Sequence, residues 1–527
     1  MIEKENFHRK ANLNKFATTK YQNIFKILPA LTTSSIYEKI GTLFQYIGRS
    51  ISLPSIYDTF FGLLMPEPWP YSQQLDLCIS WQNPDGSWGF PHDSIPARVL
   101  NTLTGIYIIQ ELGFSSHIVE KGPKEKAINF LENGIEFLKN DNQKVVPLGD
   151  KFLFVWLINE IYSKSPDLDF TYLLNSRIID RYNQKKKLLG NFNISSKIPA
   201  AHMAEGLIDK LDEKTINQLV LPNGSIGCSP STSAYYFVKK GIFNPYSYLE
   251  SCLVMNGGLT SIHTSDLFEI VWSTEYLSKE IHFRNYFKNH LKKVATSWNS
   301  NHTIPGGISV SSDWGCGDLD CTSVSYYNLK QYNFNLKPIN WDLYYQNDDG
   351  SFITYQYEID SSFITQLNHI RILLEYPTIR DDESTEKLFS WFIRKMNNIN
   401  DWFDKFQTSI FYIIDRITNA FDNNPNLIPW KIELIRDWLE DHQNQDGGWG
   451  TSFSTHYETS LAINALIRLE RSWNLDIDYL INKARNFFIY NREYDYFSFW
   501  MGKSGYFTPI LVDYSVILSA MLFIARR

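Results

Sequence analysis

Gln443-Asn444-Gln445-Asp446-Gly447-Gly448-Trp449-Gly450 leads into Thr455–Arg471, which reads THYETSLAINALIRLER. The Asp446-Gly447 step supplies the positive φ that a tight turn needs. Thr455 then caps a helix while Glu458 reaches back, a capping box. Leu461, Ala462, Ala465, Leu466 and Leu469 follow at helical spacing. Related phrases stand at Gln82-Asn83-Pro84-Asp85-Gly86-Ser87-Trp88-Gly89, Leu221-Pro222-Asn223-Gly224-Ser225 and Gln346-Asn347-Asp348-Asp349-Gly350-Ser351-Phe352. A helical pattern follows each. In Ser229–Lys240, SPSTSAYYFVKK, Ser229 is the cap and Pro230 lies in the first turn, where its missing N–H costs nothing. Alternating Val, Ile and Thr patterns are scarce, so the chain is mostly α. The intervals between phrases are unequal, which argues against a simple solenoid. Paired helices in a ring are expected, each pair tied at its turn by a Gln and an aromatic ring. The phrases are structural, and no catalysis is placed there.

Composition narrows the class. Of 527 residues, 43% are hydrophobic and 20% charged, ordinary for a globular protein with a large core. The net charge of −7 argues against a broad nucleic-acid surface, which requires a clustered basic excess. Aromatic residues make up 15%. They serve either a bulky core or a cavity whose ring faces stabilise cations, and composition does not separate the two. Cys78, Cys228, Cys252, Cys316 and Cys321 show no paired CxxC spacing, so reduced thiols fit better than a disulfide framework or a zinc site. The N-terminus, MIEKENFHRK, has no apolar signal core. A cytoplasmic protein without a transmembrane segment is expected. The apolar run Ile510–Ala525, interrupted by Asp513 and Tyr514, reads as a last buried helix, with shallow peripheral membrane contact as the lesser alternative. Oligomeric state is not read from the sequence.

The Gln82–Gly89 and Gln443–Gly450 phrases resemble the QW motifs of class II terpene cyclases. QNPDGSWGFPHDSIPARVLNTL (Gln82–Leu103), KIPAAHMAEGL (Lys197–Leu207), NGSIGCSPSTSAYYF (Asn223–Phe237) and SDLFEIVW (Ser265–Trp272) resemble stretches of copalyl-diphosphate-type diterpene cyclases. WMGKSGYFTP (Trp500–Pro509) is loosely similar to that family's Trp-x-Gly-Lys…Tyr-x-x-Pro pattern. Each landmark alone is weak; their shared order is specific. The resemblance implies an all-α fold of two α/α-barrel domains, β and γ, with γ inserted into β and the active site between them. On this chain it implies β over 1–81 and 298–527, with γ over 82–297. No class I α-domain is expected, since the chain stops one helix after Lys503. Asp381-Asp382-Glu383 superficially resembles a metal-binding aspartate motif, but it reads as a helix N-terminus, where carboxylates suit the dipole.

The family's acid signature is Asp-x-Asp-Asp, and the matching text is Asp318-Leu319-Asp320-Cys321. Protonating an unactivated alkene needs an acid that stays protonated near neutral pH and whose conjugate base is stabilised as the proton leaves. An adjacent carboxylate serves the first need, hydrogen bonds in a dry site the second. In isolation, DLDC after Gly317 reads as a polar turn. Within the ordered landmarks, Asp320 takes the donor's place and Asp318 its partner's. Cys321 departs from the family's last Asp; oxidosqualene cyclases carry a similar Asp-Cys-Thr.

The resemblance further implies a base that ends the reaction. In plant copalyl diphosphate synthases a His in a His-x-x-Glu-Gly context works with an Asn through a water; here the positions are His202 and Ser261. Diphosphate binding falls to Lys503 and, more weakly, to Lys405 in Asp404-Lys405-Phe406-Gln407-Thr408-Ser409. Mg²⁺ is the implied cofactor, with Asp141 the sole acidic residue in Lys139-Asn140-Asp141-Asn142-Gln143. The expected reaction is protonation-initiated cyclisation of a linear prenyl diphosphate to a bicyclic copalyl- or drimenyl-type diphosphate, geranylgeranyl diphosphate being favoured over farnesyl diphosphate. Two alternatives stand beside it. A squalene- or triterpene-type cyclase is favoured by Asp-Cys-Thr but opposed by Lys503. A non-catalytic helical-barrel binding protein has no reason to hold Asp318, Asp320, His202 and Lys503 together. A zinc prenyltransferase β-subunit lacks a convincing ligand set.

Overall fold

In the computed structural model, the four turn phrases close in one way. Gly86, Gly224, Gly350 and Gly447 all take φ between +82° and +94°. The aromatic or aliphatic residue that follows donates its N–H to a side chain of the next helix: Trp88 to Thr102, Ile226 to Ser233, Phe352 to Gln366 and Trp449 to Thr459, each at 2.8 or 2.9 Å. Gln82, Gln346 and Gln443 each donate to the turn's glycine carbonyl and to the first turns of a neighbouring helix, at Pro123, Ser384 and Leu480. The ring-and-Gln tie is therefore real at three phrases. Val220 replaces the Gln at the remaining one.

The structure describes residues 24–90, 93–113, 122–133, 148–190, 195–254, 257–278, 280–300, 302–304, 306–356, 358, 360–399, 402–497 and 499–527. They form two compact units. The larger holds 24–51, Ser265–Phe499 and Thr508–Arg527; the smaller holds Ser52–Thr264 and Trp500–Phe507. The dividing points thus lie at 51/52 and 264/265, not at 81/82 and 297/298, and the smaller unit takes back a short hairpin near the C-terminus. The reason is packing. Helix Ile56–Gly62 lies against Ile95–Glu111 and Pro230–Lys240, whereas Asp266–Leu277 and Arg284–Asn299 lie against Leu319–Gln331.

In the larger unit six helices form a closed inner ring: Asp266–Leu277, Leu319–Gln331, Phe363–Glu375, Ile410–Ala420, His456–Trp473 and Ile510–Arg526. Each packs on the next and the last on the first. All are buried over most of their length. The last settles the reading of Ile510–Ala525 as a core helix, and no helix among the described residues is long and apolar enough to cross a membrane. Outer helices such as Asp382–Met396 and Asp478–Tyr490 bury only one stripe. The expected caps are present. Thr455 accepts from Glu458 N, Ser229 from Thr232 N, and Asp381 from Ser384 N at the head of Asp382–Met396. Glu458 reaches back to the Thr455 hydroxyl at 3.3 Å, since the Thr455 N–H is taken by the Trp449 carbonyl.

The smaller unit closes a ring of five: Ile56–Gly62, Ile95–Glu111, Asp150–Lys164, the 3₁₀ stretch Pro199–Lys210 and Pro230–Lys240. Pro199–Lys210 is broken at Met203, whose φ and ψ of −127° and 28° are not helical. That break lies inside the phrase carrying His202 and Glu205.

Candidate active site

Asp318 is the N-cap of Leu319–Gln331. Its Oδ1 accepts the Cys321 N–H at 2.6 Å. Its Oδ2 is buried and accepts no hydrogen bond from any described residue. Asp320 follows in the first helical turn, buried, with Oδ1 accepting from Asn368 Nδ2 at 2.8 Å. Asn368 comes from the next inner helix, Phe363–Glu375. Among the described residues, no cation bonds either carboxyl. Burial, reinforced by Asp320, pushes Asp318 up to about 8. Burial also raises Asp320, to about 7; the Asn368 hydrogen bond draws it down, Asp404 pushes it up, and Arg416 and Lys405 draw it down. Two carboxyls so close lose their protons as a pair, so near neutral pH the pair retains a proton. Cys321 is buried and burial holds its thiol far above the ordinary range, so it contributes bulk and a backbone N–H rather than a third charge.

Helix Phe363–Glu375 is itself held in place by a residue close to Lys405. Asp404 accepts from Ser362 Oγ at 2.6 Å and Ile364 N at 3.0 Å with one oxygen, and from Phe406 N at 2.7 Å with the other. Lys405 Nζ lies 2.5 Å from Glu358 Oε1 and donates to the Asp360 carbonyl. Gln407 donates to Tyr457 OH, and Ser409 Oγ to Glu458, so the whole phrase is fastened to the inner ring. Glu269, in the Asp266-Leu267-Phe268-Glu269 phrase, accepts three backbone N–H groups, from Gly48, Ser50 and Ile51.

The remaining expected residues lie in the smaller unit. Lys503 sits in the hairpin whose strands Trp500–Met501 and Tyr506–Phe507 pair antiparallel. Its ammonium is buried. It donates to Glu205 Oε1 at 3.0 Å, Ser229 Oγ at 2.7 Å, the His202 carbonyl at 3.1 Å and Ser231 Oγ, and lies 3.8 Å from Asp58 Oδ1. Three N–H bonds are thus committed to this unit's own acceptors, and a contact to a phosphate would require them to open. Glu205 also accepts from Tyr57 OH at 2.9 Å and from Thr232 Oγ1. Burial raises Glu205, but Lys503 and the hydrogen bonds it accepts, Thr232's among them, together outweigh this and its carboxyl ends below the ordinary range. Asp58 stays raised, burial outweighing Lys503.

His202 Nδ1 lies 2.8 Å from the Gly227 carbonyl, which can only accept. The neutral ring therefore carries its proton on Nδ1 and presents Nε2 as the basic nitrogen. Burial, then Lys503, pushes the ring down to about 3, so it is neutral at working pH. Ser261 is buried beside the same hairpin, where a Cβ on Gly502 would meet its Oγ at 3.6 Å. Thus His202, Ser261 and Lys503 share one unit, and Asp318, Asp320, Cys321 and Lys405 the other. Asp141 lies outside the described residues. Among the described residues, no three His, Cys, Asp or Glu side chains converge to hold a metal ion.

Sequence reasoning missed Asn368, Asp404 and Arg416. A signal was present in FITQLNHIRILLE (Phe363–Glu375), where Gln366, Asn368 and Arg371 interrupt an otherwise apolar helix. Polar groups on an inner helix must find buried partners.

No protein-family model matches the chain. It is 26% identical over 484 residues to a type B diterpene cyclase of Mycobacterium tuberculosis, with 85% of this chain and 91% of that one covered. It is 23% identical over 435 residues to a chloroplastic syn-copalyl diphosphate synthase of Oryza sativa subsp. japonica, with 80% of this chain covered. The match takes in 54% of that plant protein, so the chain spans about half its length. Among solved structures, an ent-copalyl diphosphate synthase from Streptomyces platensis superposes with a TM-score of 0.72 at 19% identity, over 93% of this chain and 100% of that one.

Proposed function

We infer that this chain, a class II terpene cyclase of the copalyl-diphosphate-synthase type by its fold and its relatives, cyclises a linear prenyl diphosphate and leaves the diphosphate in place. The observation that carries this reading is the Asp318–Asp320 pair: two buried carboxyls, neither bonded to a cation among the described residues, with pKa raised to about 8 and about 7. A protonated carboxyl at neutral pH is what an alkene-protonating acid requires. Asp320 delivers its proton to the terminal alkene carbon. The electron deficit passes inward as two C–C bonds form, and a C–H proton then leaves the bicyclic cation. The product is an isomer of the substrate, and solvent returns the proton to the pair.

Asn368 keeps Asp320 in one rotamer and donates to the carboxylate as it forms, a charge-assisted bond stronger than the one made to the neutral acid. His202, neutral with a basic Nε2, and Ser261 are the proposed groups that end the reaction. The diphosphate role of Lys405 and Lys503, and Mg²⁺ with Asp141, are proposed from the family resemblance alone; of the two lysines, Lys405 is the less enclosed, its side chain 15% exposed against 1%. The favoured substrate is geranylgeranyl diphosphate. This is supported by the diterpene and copalyl names of the relatives.

Purified protein should be given geranylgeranyl diphosphate, farnesyl diphosphate and squalene in parallel with Mg²⁺, then phosphatase, with products read by gas chromatography and mass spectrometry. A bicyclic alcohol from the twenty-carbon substrate, absent with Asp320→Asn, is the expected result. Product from squalene alone would move the chain to the triterpene branch. No product from a folded protein would sink the reading.

A further inference from the structure

Two inner helices that touch the acid motif also carry, one turn further on, members of a buried charge cluster. On Phe363–Glu375, Asn368 bonds Asp320, and Arg371 three residues later bonds Glu275. On Asp266–Leu277, the Trp272 indole meets the Cys321 thiol, and Glu275 again lies three residues on. One helical turn is about 5.4 Å. A third helix, Ile410–Ala420, completes the cluster. Its Arg416 lies 3.6 Å from Glu275 and 2.6 Å from Asp415, with its guanidinium 5.7, 5.2 and 5.3 Å from the rings of Trp272, Tyr276 and Tyr412. Arg468 bonds the other Asp415 oxygen at 2.6 Å, Tyr276 OH donates to Asp415 and Asn419 to Glu275, while Arg416 Nη1 and Arg468 Nε have no hydrogen-bond partner among the described residues.

The cluster is buried and unbalanced. Among the described residues, the ion pairs of Arg371, Arg416 and Arg468 run to two carboxylates, Glu275 and Asp415. Burial raises both carboxyls, but the arginines more than offset it and leave them below their ordinary range, hence ionised. One positive charge is left over, held in place by rings and hydrogen bonds. We propose that this surplus charge, centred on Arg416, is the fixed electrostatic support for the conjugate base of Asp320, and that Arg416 and Glu275 are positioning residues that set the strength of the acid without touching substrate. A permanent, preorganised charge near the oxygen that turns anionic stabilises the transition state and needs no reorganisation during the step. The groups facing the acid pair are Cys321 on its own helix, Asp404 and Lys405 from the 402–409 turn, Trp272, Tyr412 and Arg416 from two inner helices, and Tyr344 and Tyr355 beside Asp318.

This inference rests on Asp320 being the donor, and its test reads the sign of a shift. Cyclisation requires the protonated acid, so rate falls as pH rises through the acidity of the pair. Arg416→Met removes support: the alkaline limb moves up by about one pH unit while the maximal rate drops. Glu275→Gln adds to the surplus: the limb moves down by a similar amount. A merely structural role would lower activity in both variants without opposite shifts. If Arg416→Met fails to fold, the nearly isosteric Glu275→Gln carries the test alone. The same shifts should appear in the carboxyl C=O band of ¹³C-aspartate-labelled protein, identified by its loss in Asp320→Asn, which requires no turnover. Opposite shifts in that band without any product would sink the proposed reaction and keep the electrostatic link. Shifts of one sign, or none, in folded protein overturn the inference even if the enzyme cyclises its substrate.

Discussion

Each unit buries a pair of carboxyls, and the two pairs differ in what they are bonded to. Asp318 and Asp320 in the larger unit lie among neutral donors, and both are pushed toward protonation. Asp58 and Glu205 in the smaller unit are as deeply buried, but an ammonium lies between them, and Glu205 is drawn below the ordinary range. Burial is common to both and keeps Asp58, 3.8 Å from the ammonium, raised; the directly bonded cation is what makes Glu205 a structural ion-pair partner and not a reactive acid. The larger unit has cations too, Arg416 and Lys405, but neither bonds the pair. They are placed to act on the acid without neutralising it.

The largest effect expected from breaking this contrast is chemical. Asp320→Asn should lower turnover of the accepted prenyl diphosphate by at least about a thousandfold, as loss of a general acid does, while circular dichroism stays that of the wild type. Next is Lys503→Met, which leaves Glu205 and Asp58 buried without their cation. The unfolding midpoint in urea should fall by the equivalent of about 3–5 kcal/mol, with partial recovery at low pH as the carboxyls protonate. If Lys503 served the diphosphate instead, KM would rise and stability would hold.

Linkage sharpens the contrast with opposite signs. Glu205 has a depressed pKa, so its contribution is present above the ordinary carboxyl range and is lost as pH falls through its folded value. Asp318 and Asp320 are raised, so their contribution is full below the unfolded carboxyl value, about 4, and is lost as pH rises through about 7 to 8. Asp318→Asn should therefore stabilise the fold above pH 8, on the order of 2 kcal/mol, and leave it unchanged near pH 4. Denaturant titrations at the two pH values decide this. The smallest effect belongs to Asn368→Ala. Losing a donor to the carboxylate should move the alkaline limb of the rate profile up by about half a pH unit, with slower turnover throughout.

Local instructions carried the fold further than the site. Gly447 and its counterparts announce turns because only a positive φ closes them, and Thr455, Ser229 and Asp381 announce helices because each cap is set within four residues. The Asp318–Asp320 pair was singled out through the ordered family landmarks, since in isolation DLDC reads as a polar turn. What escaped is long-range. Asn368 meets Asp320 across 48 positions, and Arg371 meets Glu275 across 96. No spacing rule joins such pairs, although polar residues inside an apolar inner helix were the clue. The domain edges escaped because the text near Ile51 and Thr264 carries no Pro- or Gly-rich linker run. Pro199–Lys210 escaped because a 3₁₀ stretch broken at Met203 has no helical period to read.

Lys503 also has a consequence for synthesis. The chain emerges from its N-terminus, so Asp58 and Glu205 are made long before the cation that completes them, which follows Thr264 by roughly 240 residues. At translation rates of about 5–20 residues per second, that is a delay of roughly 12–50 seconds. During it, the nascent smaller unit can assemble its five-membered ring only with Glu205 and Asp58 protonated, hydrated or held open. The hairpin thus works as a late latch: the unit born first is finished nearly last, and a ribosome that stops before Lys503 leaves behind a segment whose own core still carries uncompensated charge.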